Sequence, residues 1–174
     1  LRQHTGNWAG VTVSCAMGQF SYGGQDFSAV DLPGIYSFDT RSAEEELTKD
    51  FILNEDYDFL LVVCDATCLE RGLYLLSQAA GLLEHREEAG PMPQAVLCLN
   101  LCDEAEKKGI RIDFKALERS LGIPVTPCCG RTAKGLLTLK KLLASLAASC
   151  PCACASCSLG SPYRRLPSAF SPKD

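Results

Sequence analysis

Two short stretches of this sequence place a carboxylate and a turn directly after an apolar run. They are Asp31-Leu32-Pro33-Gly34 and Asn100-Leu101-Cys102-Asp103. In the first, a carboxylate at a strand end can hold Mg²⁺ through its water shell, and a glycine three residues on lets a backbone N–H approach a terminal phosphate. The same D-x-P-G pattern is also ordinary turn chemistry. In the second, the aspartate of an N-x-x-D turn can accept two hydrogen bonds, from the N1–H and the exocyclic amine of guanine. Adenine does not offer that donor pair. Each charge-assisted bond is worth roughly 1.5–3 kcal/mol, so two in one plane discriminate bases strongly. The plainer alternative is that Asn100 caps the following segment and Asp103 faces water.

Spacing links the two. They lie about 70 residues apart with one complete strand–helix unit between them, the separation a nucleotide-dependent switch needs between its phosphate and base elements. Two further pieces fit. Thr12, in GVTV, precedes the first recognisable strand, where its hydroxyl can reach Mg²⁺. Cys129-Gly130-Arg131 follows the last strand, where a backbone N–H can meet the purine O6.

The elements that must position these groups alternate along the chain. VTVSCAMGQFSY and DFSAVDLP read as successive strands turning at Gly23-Gly24. SAEEELTKDFIL has helical spacing, with Ser42 as N-cap and Glu45 three residues on. DFLLVVCDAT is a continuous apolar run, as in a strand buried on both faces. LERGLYLLSQAAGLLEHREE is a long helix, AVLCLNLCD another buried strand, and Asp113 caps a short helix that stops at Gly122. IPVTPCC is a short strand. GLLTLKKLLASLAAS is an amphipathic helix with Leu136, Leu139, Leu143 and Leu146 on one stripe. This alternation predicts an α/β fold around a doubly wound, mostly parallel sheet, whose ligands sit beyond the carboxyl ends of the strands. Asp31, Asp65, Asn100 and Cys128 all fall at those ends.

Composition bounds the function. With 174 residues, 47% hydrophobic and 22% charged, the chain has the make-up of one globular domain. A net charge of −4 argues against a general nucleic-acid surface. The 11 cysteines are odd in number, no signal peptide is visible, and several lie in apolar runs, so the expectation is free thiols in a reducing cytosol. No run reaches the ~18–20 apolar residues that span a bilayer. From residue 149 the composition turns to Cys, Ala, Ser and Pro without periodicity, which predicts a disordered tail over 149–174. Cys150, Cys152, Cys154 and Cys157 do not have the paired spacing of a zinc site. His4 and His85 are isolated, and no Ser/His/Asp or Cys/His catalytic arrangement is present.

NWAGVTV, VDLPGIYS, AEEELTKDFIL, DATCLERGLYL and NLCDEAEKKGIRID resemble the cytosolic G domain of the ferrous iron transport protein B family, over residues 1 to about 148. The resemblance implies a P-loop NTPase-like, Ras-like fold and a domain that binds GTP or GDP with Mg²⁺. Gly10, Val11 and Thr12 become the switch I segment and Asp31, Leu32, Pro33 and Gly34 the start of switch II, with Thr12 and Asp31 on the metal. Asn100, Leu101, Cys102 and Asp103 select guanine, and Cys129, Gly130 and Arg131 form the last base-contacting loop. In the family this domain precedes a membrane domain that carries Fe²⁺ inward, so the resemblance places it on the cytoplasmic side of the membrane, where GTP binding and hydrolysis gate uptake.

The sequence departs from that pattern in places. It contains no G-x-x-x-x-G-K-[ST] stretch, which supplies the phosphate-cradling amides, a lysine and a Mg²⁺ ligand. The chain opens, on this reading, inside the tail of the helix that follows that loop. The first strand, central in this fold class, is then also absent, leaving the strands that end at Asp31 and Asp65 with unpaired edges. The expectation is an N-terminally truncated G domain over 1–148 that binds GTP at millimolar affinity or weaker. Cys129-Gly130 stands where such loops usually read Ser-Ala. Ile35 follows Gly34 where many small GTPases place a water-orienting glutamine, so no catalytic residue is assigned. The competing reading is a non-catalytic remnant or interaction module that has lost phosphate binding. Another guanine-binding switch, such as a tRNA-modifying GTPase, shares the base motif but does not explain DATCLERGLYL.

Overall fold

The computed structural model describes residues 2–6 (as backbone), 15–39, 42–86 and 92–149. The 149–174 tail, apart from Ser149 at the end of a helix, lies outside them, as do Gly10, Val11 and Thr12.

Six strands form two three-stranded sheets. The first is an antiparallel meander of β1 (Arg2–Gly6), β2 (Cys15–Tyr22) and β3 (Gln25–Asp31). Gly23 and Gly24 join β2 to β3 with φ of 61° and 79°. A two-residue hairpin loop with both central residues at positive φ matches the twist of the strands it joins, and glycine adopts that conformation without steric penalty. β1 is a correction, because the sequence reading places the tail of a helix here. Arg2 to Gly6 instead pair in register with Gln19 to Cys15. A stub of helix this short is below the length at which an isolated helix holds, whereas strand pairing satisfies one backbone edge of β2.

The second sheet is parallel, in the order β4 (Phe59–Asp65), β5 (Gln94–Asn100), β6 (Val125–Pro127). β5 is central and buried on both faces. Its alternation sends Leu97 and Leu99 into one cluster with Leu73, Leu76 and Leu83 of α2 (Leu69–Glu84), and Val96 and Cys98 into another with Leu139 and Leu143 of α5 (Leu136–Ser149). Helices therefore cover both faces of the parallel sheet, the doubly wound arrangement. Phe20 and Phe27, stacked with centroids 4.9 Å apart on β2 and β3, join the second cluster, and Lys140 of α5 lies over the Phe20 ring. Leu146 packs against that cluster, but Leu136 is exposed; it occupies the first position of α5, before the helix runs onto the sheet.

β3 and β4, which the sequence reading sets on either side of a central strand, do not pair with each other among the described residues. Leu61 and Val63 of β4 are 37% and 57% exposed. α1 (Ala43–Asn54) starts at Ser42, whose hydroxyl accepts from the Glu45 N–H at 3.2 Å. α4 (Phe114–Leu121) starts at Asp113, whose carboxylate accepts from the Ala116 N–H, and stops at Gly122 with φ 69°. Both caps are as the sequence reading has them. After β4, Asp65 accepts from the Thr67 N–H at 2.7 Å and starts a 3₁₀ turn into α2. That bond holds the Asp65 carboxyl below its ordinary range. A Cβ on Gly72 would stand 2.5 Å from Cys64 Cβ and Sγ, so only glycine lets α2 lie this close to β4.

Candidate functional site: the rim of the parallel sheet

The carboxyl ends of β4 and β5 are level, with Asp65 opposite Asn100 in the register. Leu101 follows with φ 59° and ψ 30°. A leucine in the left-handed region is strained by the order of 1–2 kcal/mol. Here the conformation turns the chain from β5 directly into α3 (Cys102–Lys107), and the Leu101 carbonyl accepts from the N–H groups of Glu104 and Ala105 at 3.0 Å. α3 is an element the sequence reading did not separate from the strand before it, since six residues are too few for a readable period.

The ends of β5 and β6 are laced together. Cys128 N–H donates to the Leu99 carbonyl at 2.7 Å, Cys102 N–H to the Cys128 carbonyl at 3.4 Å, and the Cys102 thiol to the Leu99 carbonyl at 3.1 Å. The loop after β6 closes on itself where Cys129 N–H donates to the Lys134 carbonyl at 2.8 Å. Gly135 ends that loop with φ 87°, and a Cβ there would stand 2.2 Å from the Pro127 carbonyl oxygen. The sequence reading missed this glycine; its only local sign is its place before the helical run.

Two side chains tie the loops to each other. Asn100 Oδ1 accepts from the Gly130 N–H at 2.9 Å. Asn100 therefore positions the second loop, and Leu101, not Asn100, occupies the N-cap of α3. Asp103 Oδ2 lies 3.1 Å from an Arg131 guanidinium nitrogen, which also reaches Glu104 Oε1 at 3.3 Å. The Cys129 thiol and that guanidinium hold the Asp103 carboxyl below the ordinary carboxylate range. No donor reaches Asp103 Oδ1 at hydrogen-bond geometry, although that oxygen is buried. The N–H groups of Cys129 and Gly130, the sequence-based candidates for a purine O6, are both engaged. Arg131 N–H has no partner among the described residues. The rim thus carries the Asp103 carboxylate and the Arg131 N–H on two loops that the Asn100–Gly130 bond ties together.

Thiols crowd the same rim. Burial raises the pKa of Cys102 and Cys98, and Cys98 is hydrogen-bonded to Cys128 besides; the Cys64 thiol is pushed up to about 11, also by burial. They pack as small apolar groups.

The D-x-P-G element lies at the end of β3, in the antiparallel sheet. Asp31 ends β3, opposite Ala16, and is exposed; Gly34 has open space where a side chain would stand. The chain then folds onto α2. Phe38 N–H donates to Gln78 Oε1 at 2.9 Å, Asp39 accepts from Tyr74 Oη at 2.9 Å and Gln78 Nε2 at 2.8 Å, and Arg71 lies over the Tyr36 ring. Among the described residues no three His, Cys, Asp or Glu side chains group as metal ligands. A lone Asp31 carboxylate still suits Mg²⁺, which keeps most of its waters and takes one or two protein oxygens.

The family model described as "Ferrous iron transport protein B" matches residues 1–143. The chain belongs to that family. The Fe(2+) transporter FeoB of Escherichia coli K12 is 42% identical over 143 residues, covering 80% of this chain, and that of Salmonella typhimurium LT2 is 41% identical over the same length. The chain spans 17% of the length of these relatives. Among solved structures, the cytosolic domain of T. maritima FeoB in a GDP form superposes with a TM-score of 0.76 at 35% identity, covering 86% of this chain and 56% of that one. The isolated T. maritima G domain gives 0.71 at 35% identity and covers 84% of each chain. The Methanococcus jannaschii FeoB G-domain gives 0.68 at 36% identity, covering 76% and 79%. This family member therefore has the P-loop NTPase-like α/β fold of a FeoB G domain. No helix among its described residues is long and apolar enough to cross a membrane.

Proposed function

We propose that this FeoB-family chain is a guanine-nucleotide-binding unit whose rim recognises the base of GTP and GDP. The observation that carries the reading is the Asn100–Gly130 bond, which ties the loop that carries Asp103 to the Cys129–Arg131 loop at the carboxyl end of the parallel sheet. Asp103 accepts from N1–H and the exocyclic amine, and the loop of Cys129, Gly130 and Arg131 donates to O6. Leu101 and Cys102 hold Asp103 at the required distance from Asn100. The related T. maritima FeoB cytosolic domain, solved in GDP and GMPPNP forms, supports the reading.

On the phosphate side, Asp31 and Thr12 are the assigned Mg²⁺ residues, with Gly10 and Val11 beside Thr12. Leu32 and Pro33 set the turn that brings the Gly34 N–H to a terminal phosphate. Mg²⁺ supplies charge neutralisation on the phosphate oxygens when bound. In the whole protein, GTP binding and hydrolysis on the cytoplasmic side would gate Fe²⁺ passage through a membrane domain. Since the 174 residues hold no G-x-x-x-x-G-K-[ST] stretch, hydrolysis is proposed for the whole protein and base recognition for this chain.

The test is a ¹⁵N NMR titration of the 174-residue chain with guanosine and with adenosine. Guanosine is expected to shift the Asn100 side-chain, Gly130 and Arg131 amides, and adenosine to leave them in place. Equal shifts from both nucleosides, or none from either, refute the reading.

A further inference from the structure

The side chain of Arg131 has no place in base recognition as described, yet it stands on the group that does the recognising. One guanidinium nitrogen lies 3.1 Å from Asp103 Oδ2 and 3.3 Å from Glu104 Oε1. Arg131 is 68% exposed, against 27% for Asp103 and 38% for Glu104. The contact therefore sits at the open mouth of the rim. A guanidinium and the Watson–Crick edge of guanine are alike: each presents planar N–H donors to a carboxylate. The two oxygens of Asp103 are in unequal states. Oδ2 carries the arginine, and Oδ1 is buried with no hydrogen-bond partner among the described residues. Two parallel bonds to guanine require both oxygens to face the mouth. The side chain must turn, and the ion pair opposes that turn.

We propose that Arg131 is a latch on the base site, a guanidinium that bridges Asp103 and Glu104 when guanine is absent and keeps only its Glu104 contact when guanine takes Asp103. The proposal rests on the base-site reading above. It makes Arg131 a residue that sets affinity for the guanine ring through Asp103. Glu104 gives the displaced cation a resting place on the same helix turn, shared with Lys107 at 2.9 Å. The latch is weak by construction, because exposed ion pairs contribute little and salt screens them. It tunes the empty state without closing it.

Guanosine is the probe, since it carries no phosphate and its own binding has no charge to screen. Its affinity for the 174-residue chain, R131A, R131K and E104Q is measured by ¹⁵N shift titration at low salt and at about 1 M salt, with adenosine as control. R131A removes the latch and is expected to bind guanosine roughly twofold to fivefold more tightly at low salt. R131K keeps the charge and is expected to stay near the parent. E104Q removes the resting place and is expected to weaken binding. High salt is expected to bring the parent up to R131A. Both positions are exposed or half-exposed, so the variants keep the fold.

Two failures are distinguishable. If neither the parent nor R131A prefers guanosine to adenosine, the base-site reading fails and the latch with it. If both prefer guanosine with equal affinity, or R131A binds more weakly, the base site stands and the latch is overturned, the weaker binding meaning that the guanidinium contacts the base directly.

Discussion

Replacing Asn100 with alanine removes the side-chain acceptor that holds the Gly130 N–H and with it one of the ties between the two base loops. The bond from Gly130 N–H to Asn100 Oδ1 is 2.9 Å long and lies at an exposed edge. A typical intramolecular hydrogen bond contributes about 0.5–1.5 kcal/mol net, and water can reach the Gly130 N–H once the acceptor is gone, which avoids the larger penalty of a buried orphan. The loss of global stability is therefore about 0.5–1 kcal/mol. The local effect is sharper. The rest of the loop is held by Cys129 N–H on the Lys134 carbonyl, by the Arg131 guanidinium on Asp103 and Glu104, and by the tight turn at Gly135, none of which touches Gly130 N–H. Amide hydrogen exchange at Gly130 is expected to speed up roughly fivefold, about 1 kcal/mol of lost protection. Cys128 N–H, bonded to Leu99, is expected to keep its rate. Asn100→Asp retains an acceptor and restores most of the protection. An unchanged Gly130 exchange rate in Asn100→Ala would show that the loop is positioned by something else.

Other consequences follow from the same geometry. Gly135→Ala combines a positive φ with a Cβ 2.2 Å from the Pro127 carbonyl oxygen, so the loop must move; a loss of about 2–3 kcal/mol in urea unfolding is expected, and wild-type stability would contradict the packing. Asp65→Ala deletes the acceptor for Thr67 N–H and is expected to cost about 0.5–1 kcal/mol at pH 7. Because folding depresses the Asp65 carboxyl, its stabilisation is present above the unfolded carboxylate range near pH 4 and lost as pH falls through the folded value. The gap between parent and Asp65→Ala is expected to shrink in acid; a gap that widens there refutes it. Among the described cysteines, Cys68 is the exposed one, so brief alkylation at pH 8 with peptide mapping is expected to label Cys68 well before Cys64, Cys98 and Cys128; equal labelling would mean the rim opens readily.

Much of the fold was legible where local chemistry decides it. The Gly23-Gly24 hairpin, the Ser42 and Asp113 caps, the Gly122 stop and the continuous apolar β5 all follow from residue type and period. Position 2–6 was not, because its strand conformation depends on pairing with β2, residues away in sequence and without an alternating pattern of its own. α3 was too short to show a period. The candidate site was legible in outline: Asn100 and Asp103 stand at the end of a parallel strand beside the Cys129–Arg131 loop. The division of labour was not. That Asn100 bonds Gly130 and that Arg131 sits on Asp103 are contacts some thirty residues apart, between the ends of β5 and β6, and that Gly135 closes the loop against Pro127 depends on the path of the loop itself; none is visible to spacing alone.

The most direct test of base recognition exchanges one atom on Asp103. In Asp103→Asn a carboxylate oxygen becomes an amide that donates. Xanthine carries an oxo group where guanine carries its exocyclic amine, so the variant presents a donor to an acceptor and repels the amine it formerly bound. Titration of Asp103→Asn with guanosine and xanthosine is expected to reverse the preference, xanthosine binding and guanosine lost. A variant that still prefers guanosine, or a parent that binds both alike, would contradict the assignment of Asp103 to the purine edge.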